Sequence, residues 1–298
     1  MKCVITGGQG QLAQELFSVL SGTVWAAPRS SLDITSATEM YKDLKEYGPD
    51  VVINCAAYNQ VDQAEVSPLT AFAVNGLALQ NLARFCSDNG ARLVHFSTDQ
   101  VFGIDDLCGF NIPFGVDDPP MPVNTYGISK LAGECYARAY NKDTLIIRTC
   151  GLYGNKGEGK KPFPKKILEL ARAGKPLYIV EDQVCTPTYT LDLATMVKEL
   201  LEAFAPPGIY HVTNTGACNW YQFAGAVLRM AGQNACLTPV SSEWYSVHRP
   251  GTATRPKYSV LDQRIPVITQ LTRYRMRSWQ AALSAYMQES TPAKPQGE

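Results

Sequence analysis

Apolar residues in the first half of the chain fall into short continuous runs, each followed by a stretch with helical spacing. Lys2-Cys3-Val4-Ile5-Thr6 is strand-like, and Leu12, Leu16, Val19 and Leu20 behind it mark one face of a helix. Thr23 to Ala27 predicts a second strand. Val51-Val52-Ile53-Asn54-Cys55-Ala56-Ala57 is apolar without alternation, as in a parallel strand buried on both faces, and Pro49-Asp50 punctuates its start. A helix over 71–85 carries Asn75 inside it. A strand over 92–99 comes next, then a Gly-, Pro- and Asp-rich loop over 103–122, and a strand over 144–149. Strands alternating with helices in this way predict an α/β chain built on a doubly wound parallel sheet.

Beyond residue 150 the alternation is less regular. A Gly- and Lys-rich loop over 154–164 leads to a helix over 165–173, an apolar run over 177–180 and a helix near 191–204. A run over 209–213 and a helix over 220–231 follow, with no internal repeat and no clean linker. The expected division is residues 1–150 as a cofactor-binding domain and 151–288 as a smaller α/β part on the substrate side, with some segments returning to the first sheet. Glu289 to Glu298 is a polar stretch expected to be a disordered tail.

The first strand runs straight into Gly7-Gly8-Gln9-Gly10-Gln11-Leu12-Ala13 and then a helix. Strand, glycine turn and helix in that order give a dinucleotide fingerprint its meaning, and make the sheet Rossmann-type. Gly7 permits the tight turn, Gly10 lets the backbone approach a pyrophosphate, and the helix N-terminus offers N–H groups to that anion. Ala13 stands at the third position, where helix packs on strand. The second strand ends in Pro28-Arg29-Ser30-Ser31, with no acid until Asp33. A guanidinium beside hydroxyls suits a 2′-phosphate, so NADP(H) is preferred over NAD(H); a solvated turn arginine is the alternative.

Asn124 to Glu134 holds the candidate chemistry. With the helix already including Tyr126, Tyr126 and Lys130 stand at i and i+4 on one face. A cation near a phenol favours its charged form, and such a tyrosine can protonate a developing alkoxide. Thr98 and Asp99 end the fourth strand, where ligands of such sheets sit. His95, within that apolar run, reads as packed rather than catalytic.

Composition narrows the partners. The 298 residues are 45% hydrophobic and 18% charged, with formal net charge +0 and pI about 6.8. Neither nucleic acid nor a membrane surface is suggested by the short Lys160-Lys161 and Lys165-Lys166 pairs. No apolar run spans a bilayer, and no signal peptide is expected before a strand that opens at Lys2. Nine cysteines without a Cys-x-x-Cys pair read as reduced thiols of a cytoplasmic protein. With only three histidines, no zinc site is expected.

The order Gly7-x-x-Gly10-x-x-Ala13, Asn54-Cys55-Ala56-Ala57, Ser97-Thr98-Asp99 and Tyr126-x-x-x-Lys130 resembles the extended short-chain dehydrogenase/reductases. More narrowly, the chain is similar to the dTDP-4-dehydrorhamnose reductase family over Ala56 to Glu65, Ser97 to Phe102, Val123 to Glu134, Arg148 to Gly154 and Arg255 to Asp262. The resemblance implies NAD(P)H-dependent reduction of a nucleotide-linked 4-keto sugar. It makes Tyr126 the proton donor and gives Lys130 two tasks, lowering the tyrosine pKa and holding the nicotinamide ribose. Thr98 would hydrogen-bond the ketone oxygen. Gly10, Gln11 and Leu12 would meet the pyrophosphate; Asp33 and Ile34 would flank the adenine; Ala56, Ala57 and Tyr58 would line the cofactor. Val61, Asp62, Thr98, Asp99, Gln100, Gly151, Arg255 and Lys257 would face the substrate, the last two cations clamping its diphosphate.

Three departures fall on the substrate side: Gly151 where many members carry tryptophan, Gln100 for a common aromatic and Gln63 for a common lysine. Glu15 matches an acid that helps hold a metal at a dimer interface in some members, but its expected acidic partners are not evident around 189–193. No metal is therefore carried over, while a homodimer stays compatible with the resemblance. Rival readings are a reductase or epimerase of another nucleotide-linked 4-keto-6-deoxy sugar, and a non-catalytic subunit like the methionine adenosyltransferase β subunit.

Overall fold

The computed structural model describes residues 1–103, 112–159, 161–263 and 266–290. Much of the expected 103–122 loop, Lys160, and positions 291–298 of the expected tail lie outside the described residues. The first half runs β1 (Lys2–Thr6), α1 (Gln11–Val19), β2 (Thr23–Ala27), α2 (Ala37–Tyr47), β3 (Val51–Asn54), α3 (Val61–Val66), α4 (Pro68–Phe72), α5 (Ala78–Asn89), β4 (Arg92–Thr98), α6 (Thr125–Tyr140) and β5 (Thr144–Thr149). Next come β6 (Leu152–Tyr153), α7 (Phe163–Arg172), β7 (Leu177–Val180), β8 (Val184–Cys185), β9 (Thr188–Tyr189) and α8 (Thr190–Glu202). The chain closes with β10 (Gly208–His211), β11 (Cys218–Asn219), α9 (Trp220–Met230), β12 (Leu237–Val240), α10 (Ser242–His248), α11 (Pro266–Leu271) and α12 (Trp279–Ser290).

Six strands form one parallel sheet in the order β10-β5-β4-β3-β1-β2. Each central strand sends alternate residues to opposite faces, which is why its sequence is apolar throughout. Ile5, Ile53 and Val94 pack on one side with Leu12 and Leu16 of α1 and Val197 and Leu200 of α8. Val4, Val52 and Leu93 pack on the other with Met40 and Leu44 of α2 and Leu82 and Phe85 of α5. Full burial of a side chain of this size stabilises by roughly 1.5–3 kcal/mol. The chain leaves β1 for β2 on one side and β3 on the other, so a topological switch point opens at the carboxyl ends of β1 and β3.

Segments beyond residue 150 complete this sheet. β10 pairs with β5, and α8 covers the face that α1 begins. A separate aromatic core of Tyr153, Tyr189, Phe223, Trp279 and Tyr286 supports the rest of the second half. Among the described residues no helix is long and apolar enough to cross a membrane.

Three boundaries differ from expectation. The helix expected over 71–85 starts at Pro68, a residue suited to a first helical position, and ends at Gly90, which takes φ 67°. Its middle, Ala73–Leu77, is a π-helical turn carrying the buried Asn75. α7 begins at Phe163, directly behind Pro162. Glu289 and Ser290, assigned to the tail from sequence, belong to α12; there Glu289 accepts a 2.5 Å hydrogen bond from the Tyr189 hydroxyl.

Candidate active site

The start of α6 is held by Asn124. Its side-chain oxygen accepts the Gly127 N–H at 2.7 Å, and its amide donates to the Gln100 side chain and the Thr254 carbonyl, both at 2.9 Å. Gly127 admits the Gln100 backbone: a Cβ there would lie 2.2 Å from the Gln100 carbonyl oxygen. This close approach brings Tyr126 to the end of β4, where its phenol lies near enough to Thr98 for that hydroxyl to favour the phenolate. Thr98 Oγ1 also donates to Asp99 at 3.0 Å and accepts the Gln100 N–H at 3.2 Å.

Lys130 lies one turn further along the helix. Its buried ammonium donates to the Phe96 carbonyl at 2.6 Å and stands 3.5 Å from His95 Nε2. Burial holds it down to about 8, opposed by Glu134 and Cys55. His95 is packed as expected, and it also links Lys130 to Asn54, whose amide meets Nδ1 at 3.1 Å. Burial and the Lys130 charge hold the imidazole well below its ordinary range. The expected depression of the Tyr126 pKa is corrected by this arrangement. Burial of the phenol outweighs the opposing influence of the nearby Thr98 hydroxyl and pushes it up to about 12, while the ammonium is engaged with Phe96. A phenol raised this way keeps its proton at neutral pH and has it to give.

Asp99 is a buried carboxyl that accepts Ser259 Oγ at 2.6 Å, Cys150 Sγ at 3.0 Å and Thr98. Burial raises its pKa and these hydrogen bonds oppose the rise. Through Ser259 it ties the 255–259 segment to the catalytic strand end. That segment is also laced to β8 by Val184 N–H to the Lys257 carbonyl at 2.7 Å and Ser259 N–H to the Val184 carbonyl at 2.9 Å.

The expected cofactor residues gather at the ends of β1, β2 and β3. Gly7 takes φ 63°, and a Cβ there would meet the Ala56 backbone at 2.9 Å, so the β1 and β3 turns close on each other. α1 opens at Gly10, which brings no side-chain cap of its own. A glycine-lined helix N-terminus at the switch point suits a dinucleotide pyrophosphate. Ala56 and Tyr58 are half-buried and Ala57 exposed beside it; Tyr58 is fixed by Asn75, which accepts its N–H at 2.8 Å and donates to its carbonyl at 3.0 Å. Asn75 also donates to Ser129 at 2.9 Å, joining the cofactor side to α6. Arg29 is 76% exposed in its side chain and pairs with Asp33 at 3.0 Å. Ile34 packs in the core with Leu32 and Met40, which leaves little of its side chain for a ligand.

Next to Asp99 opens a cavity of about 740 Å³ whose walls include Asp62, Gln100, Gly151, Arg255 and Lys257. Val61 opens α3 beside Asp62, and Thr98 immediately precedes Asp99. Two expected substrate residues meet each other: Arg255 donates to Asp62 at 2.7 Å, and the same carboxylate accepts the Ala253 N–H at 3.0 Å. Glu15 is buried and raised by that burial, and the Lys156 ammonium stands 3.1 Å away. No group of three or more His, Cys, Asp or Glu that could hold a metal occurs among the described residues.

Asn124, Ser259 and the 155–158 loop lie in stretches singled out above, but their own roles were not assigned there. Asn124 carried a readable signal, an Asx residue just before a helical pattern. Ser259 and the loop carried none, since their partners are distant in sequence: Glu158 N–H meets the Gln9 carbonyl at 2.7 Å, and Gln9 Nε2 returns to Glu158 at 2.9 Å.

The family model described as RmlD substrate binding domain matches residues 1–291. The Bacillus subtilis spore coat polysaccharide biosynthesis protein SpsK is 37% identical, over 98% of this chain and 99% of its own length. A dTDP-4-dehydrorhamnose reductase of Streptomyces griseus is 38% identical, covering 97% of this chain and 93% of the relative. The crystal structure of dTDP-4-dehydrorhamnose reductase from Bacillus anthracis in complex with NADP superposes with a TM-score of 0.88 at 33% identity, over 97% of this chain and 100% of that one.

Proposed function

The chain belongs to the RmlD substrate binding domain family, and from that premise we infer that it is a dTDP-4-dehydrorhamnose reductase. It reduces the 4-keto group of dTDP-4-dehydro-L-rhamnose to give dTDP-L-rhamnose, with NADPH as reductant. The observation that carries the assignment of roles is the placement of Tyr126 beside Thr98 at the carboxyl end of β4, with Lys130 one helical turn away.

NADPH bound at the Gly7–Gly10 turn supplies the hydride that goes to C4 of the sugar. Thr98 positions the ketone oxygen, and Tyr126 gives that oxygen its proton as negative charge develops on it. The Lys130 ammonium, held on the Phe96 carbonyl one turn from the phenol, is assigned to the nicotinamide ribose. Gly7, Gly10, Gln11 and Leu12 would hold the pyrophosphate, Ala56, Ala57 and Tyr58 would line the cofactor, and Arg29 would serve the 2′-phosphate. Arg29 would then exchange its exposed Asp33 partner, worth at most about 1 kcal/mol, for a doubly charged phosphate. Arg29→Ala is expected to weaken NADPH much more than NADH in fluorescence titrations. Equal losses for both would leave Arg29 without this role.

The cations of the 255–259 segment are assigned to the substrate diphosphate. Arg255 presents one face to Asp62, which orients the guanidinium at the cavity wall. The test is NADPH oxidation with dTDP-, GDP- and UDP-linked 4-keto sugars, wild type beside Arg255→Ala. Stoichiometric oxidation with dTDP-4-dehydrorhamnose is expected. The variant should show a KM raised roughly ten- to hundredfold with NADPH binding intact, the scale of a charge-assisted hydrogen bond. Lack of turnover with every sugar of the panel would sink the reductase reading; an unchanged KM would sink the clamp alone.

A further inference from the structure

Gly151 follows β5 at φ 52°, and the place a side chain would take there is already filled. A Cβ on Gly151 would lie 3.1 Å from Trp220 Cη2 and 3.3 Å from Pro187 Cα. Trp220 is the first residue of α9, and several contacts hold it. Asn219 and Gln222 form reciprocal capping bonds of 2.7 and 3.0 Å that fix the helix start. Phe163 packs on the indole at 4.9 Å between centroids and Phe223 meets it edge-on at 6.2 Å. Behind it, β11 is paired to β8 through Cys218 and Cys185.

Despite this support the indole is only half-buried, and it lines the 740 Å³ cavity with Phe163, Gly151 and Asp99. Gly151 is next to Cys150, which donates to Asp99, and Asp99 accepts from Thr98. A braced aromatic edge is thus placed at the wall of the cavity that is also lined by Asp99, the acceptor of the Thr98 hydroxyl.

We propose that Trp220, backed by Phe163 and lying over the side-chain-free Gly151, is the wall on which the hexose of the nucleotide sugar packs, and so helps decide which sugar is accepted. The proposal rests on the reductase reading for its ligand class. A pyranose offers an apolar face of C–H groups and a polar rim of oxygens. A rigid indole covers the first at little conformational cost, while Asp99 and Gln100 in the same cavity suit the second.

The test separates the sugar from the nucleotide. Calorimetric titration with dTDP and with dTDP-rhamnose is carried out on wild type, Trp220→Leu and Trp220→Phe, each with its NADPH affinity and melting temperature. Wild type is expected to bind dTDP-rhamnose more tightly than dTDP. Trp220→Leu should leave dTDP and NADPH within about twofold and weaken dTDP-rhamnose at least about tenfold, with Trp220→Phe restoring most of the loss. Equal weakening of dTDP and dTDP-rhamnose, no weakening of either, or a loss of NADPH binding and melting temperature in both variants would overturn the proposal, as would a wild type that gains nothing from the sugar. Turnover is read separately: a wild type that binds dTDP-rhamnose through Trp220 but cannot reduce dTDP-4-dehydrorhamnose refutes the reductase and keeps the wall.

Discussion

Tyr126→Phe is expected to bind NADPH nearly as wild type does while turning over dTDP-4-dehydrorhamnose at least about a hundred times more slowly. The substitution removes one hydroxyl from a site whose scaffold does not depend on it. The start of α6 is fixed by Asn124 on the Gly127 N–H and by the close approach of the Gln100 carbonyl, both of which remain. What disappears is the hydroxyl beside Thr98 and the proton it carries at neutral pH. Single-turnover NADPH oxidation beside a fluorescence measurement of NADPH affinity checks both halves. A variant turning over within a few-fold of wild type would take Tyr126 out of the proton-donor role.

The largest expected loss of stability is at Arg148. This buried guanidinium donates to Glu134 through two bonds of 2.9 and 2.7 Å, and it stacks over the Phe102 ring at 5.0 Å. The pair pins α6, and with it Tyr126 and Lys130, to β5. Arg148→Met leaves the Glu134 carboxylate buried without its cation, a change that costs about 3–5 kcal/mol. Adding Glu134→Leu should return much of that loss, because a pair replaced by apolar groups leaves no orphan charge. Urea unfolding of the two variants decides it. A single variant with the wild-type midpoint would show that the pair contributes nothing net.

Most of the sheet was legible because its strands are apolar on both faces. β1 to β5 could be placed from Lys2–Thr6 onward, and the residues assigned to the cofactor fell at strand ends as the switch-point rule requires. Tyr126 and Lys130 were readable as one face of a helix. Several features were not, for distinct reasons. The π-turn around Asn75 obeys helical spacing closely enough to hide its extra residue. Ser259 reaches Asp99 across 160 positions, and local pattern holds no record of such contacts. The direction of the Tyr126 shift depends on how much protein surrounds the phenol, which a spacing of four residues cannot convey. Trp220 read as the start of an amphipathic helix, and only the folded chain shows it standing over Gly151.

Completion of the main sheet by late segments bears on how the protein is made. A nascent chain that has emerged through Thr149 carries β1 to β5 and the whole glycine turn, yet the apolar face of α1 awaits α8, which ends at Glu202. β5 likewise stays an open edge until Gly208–His211 leaves the ribosome and pairs with it. Vectorial synthesis therefore passes through a stretch of about sixty residues in which a nearly finished sheet presents both an uncovered core and an unpaired edge, the combination that invites aggregation. Translation that slows in this interval would prolong that exposure rather than protect a finished domain.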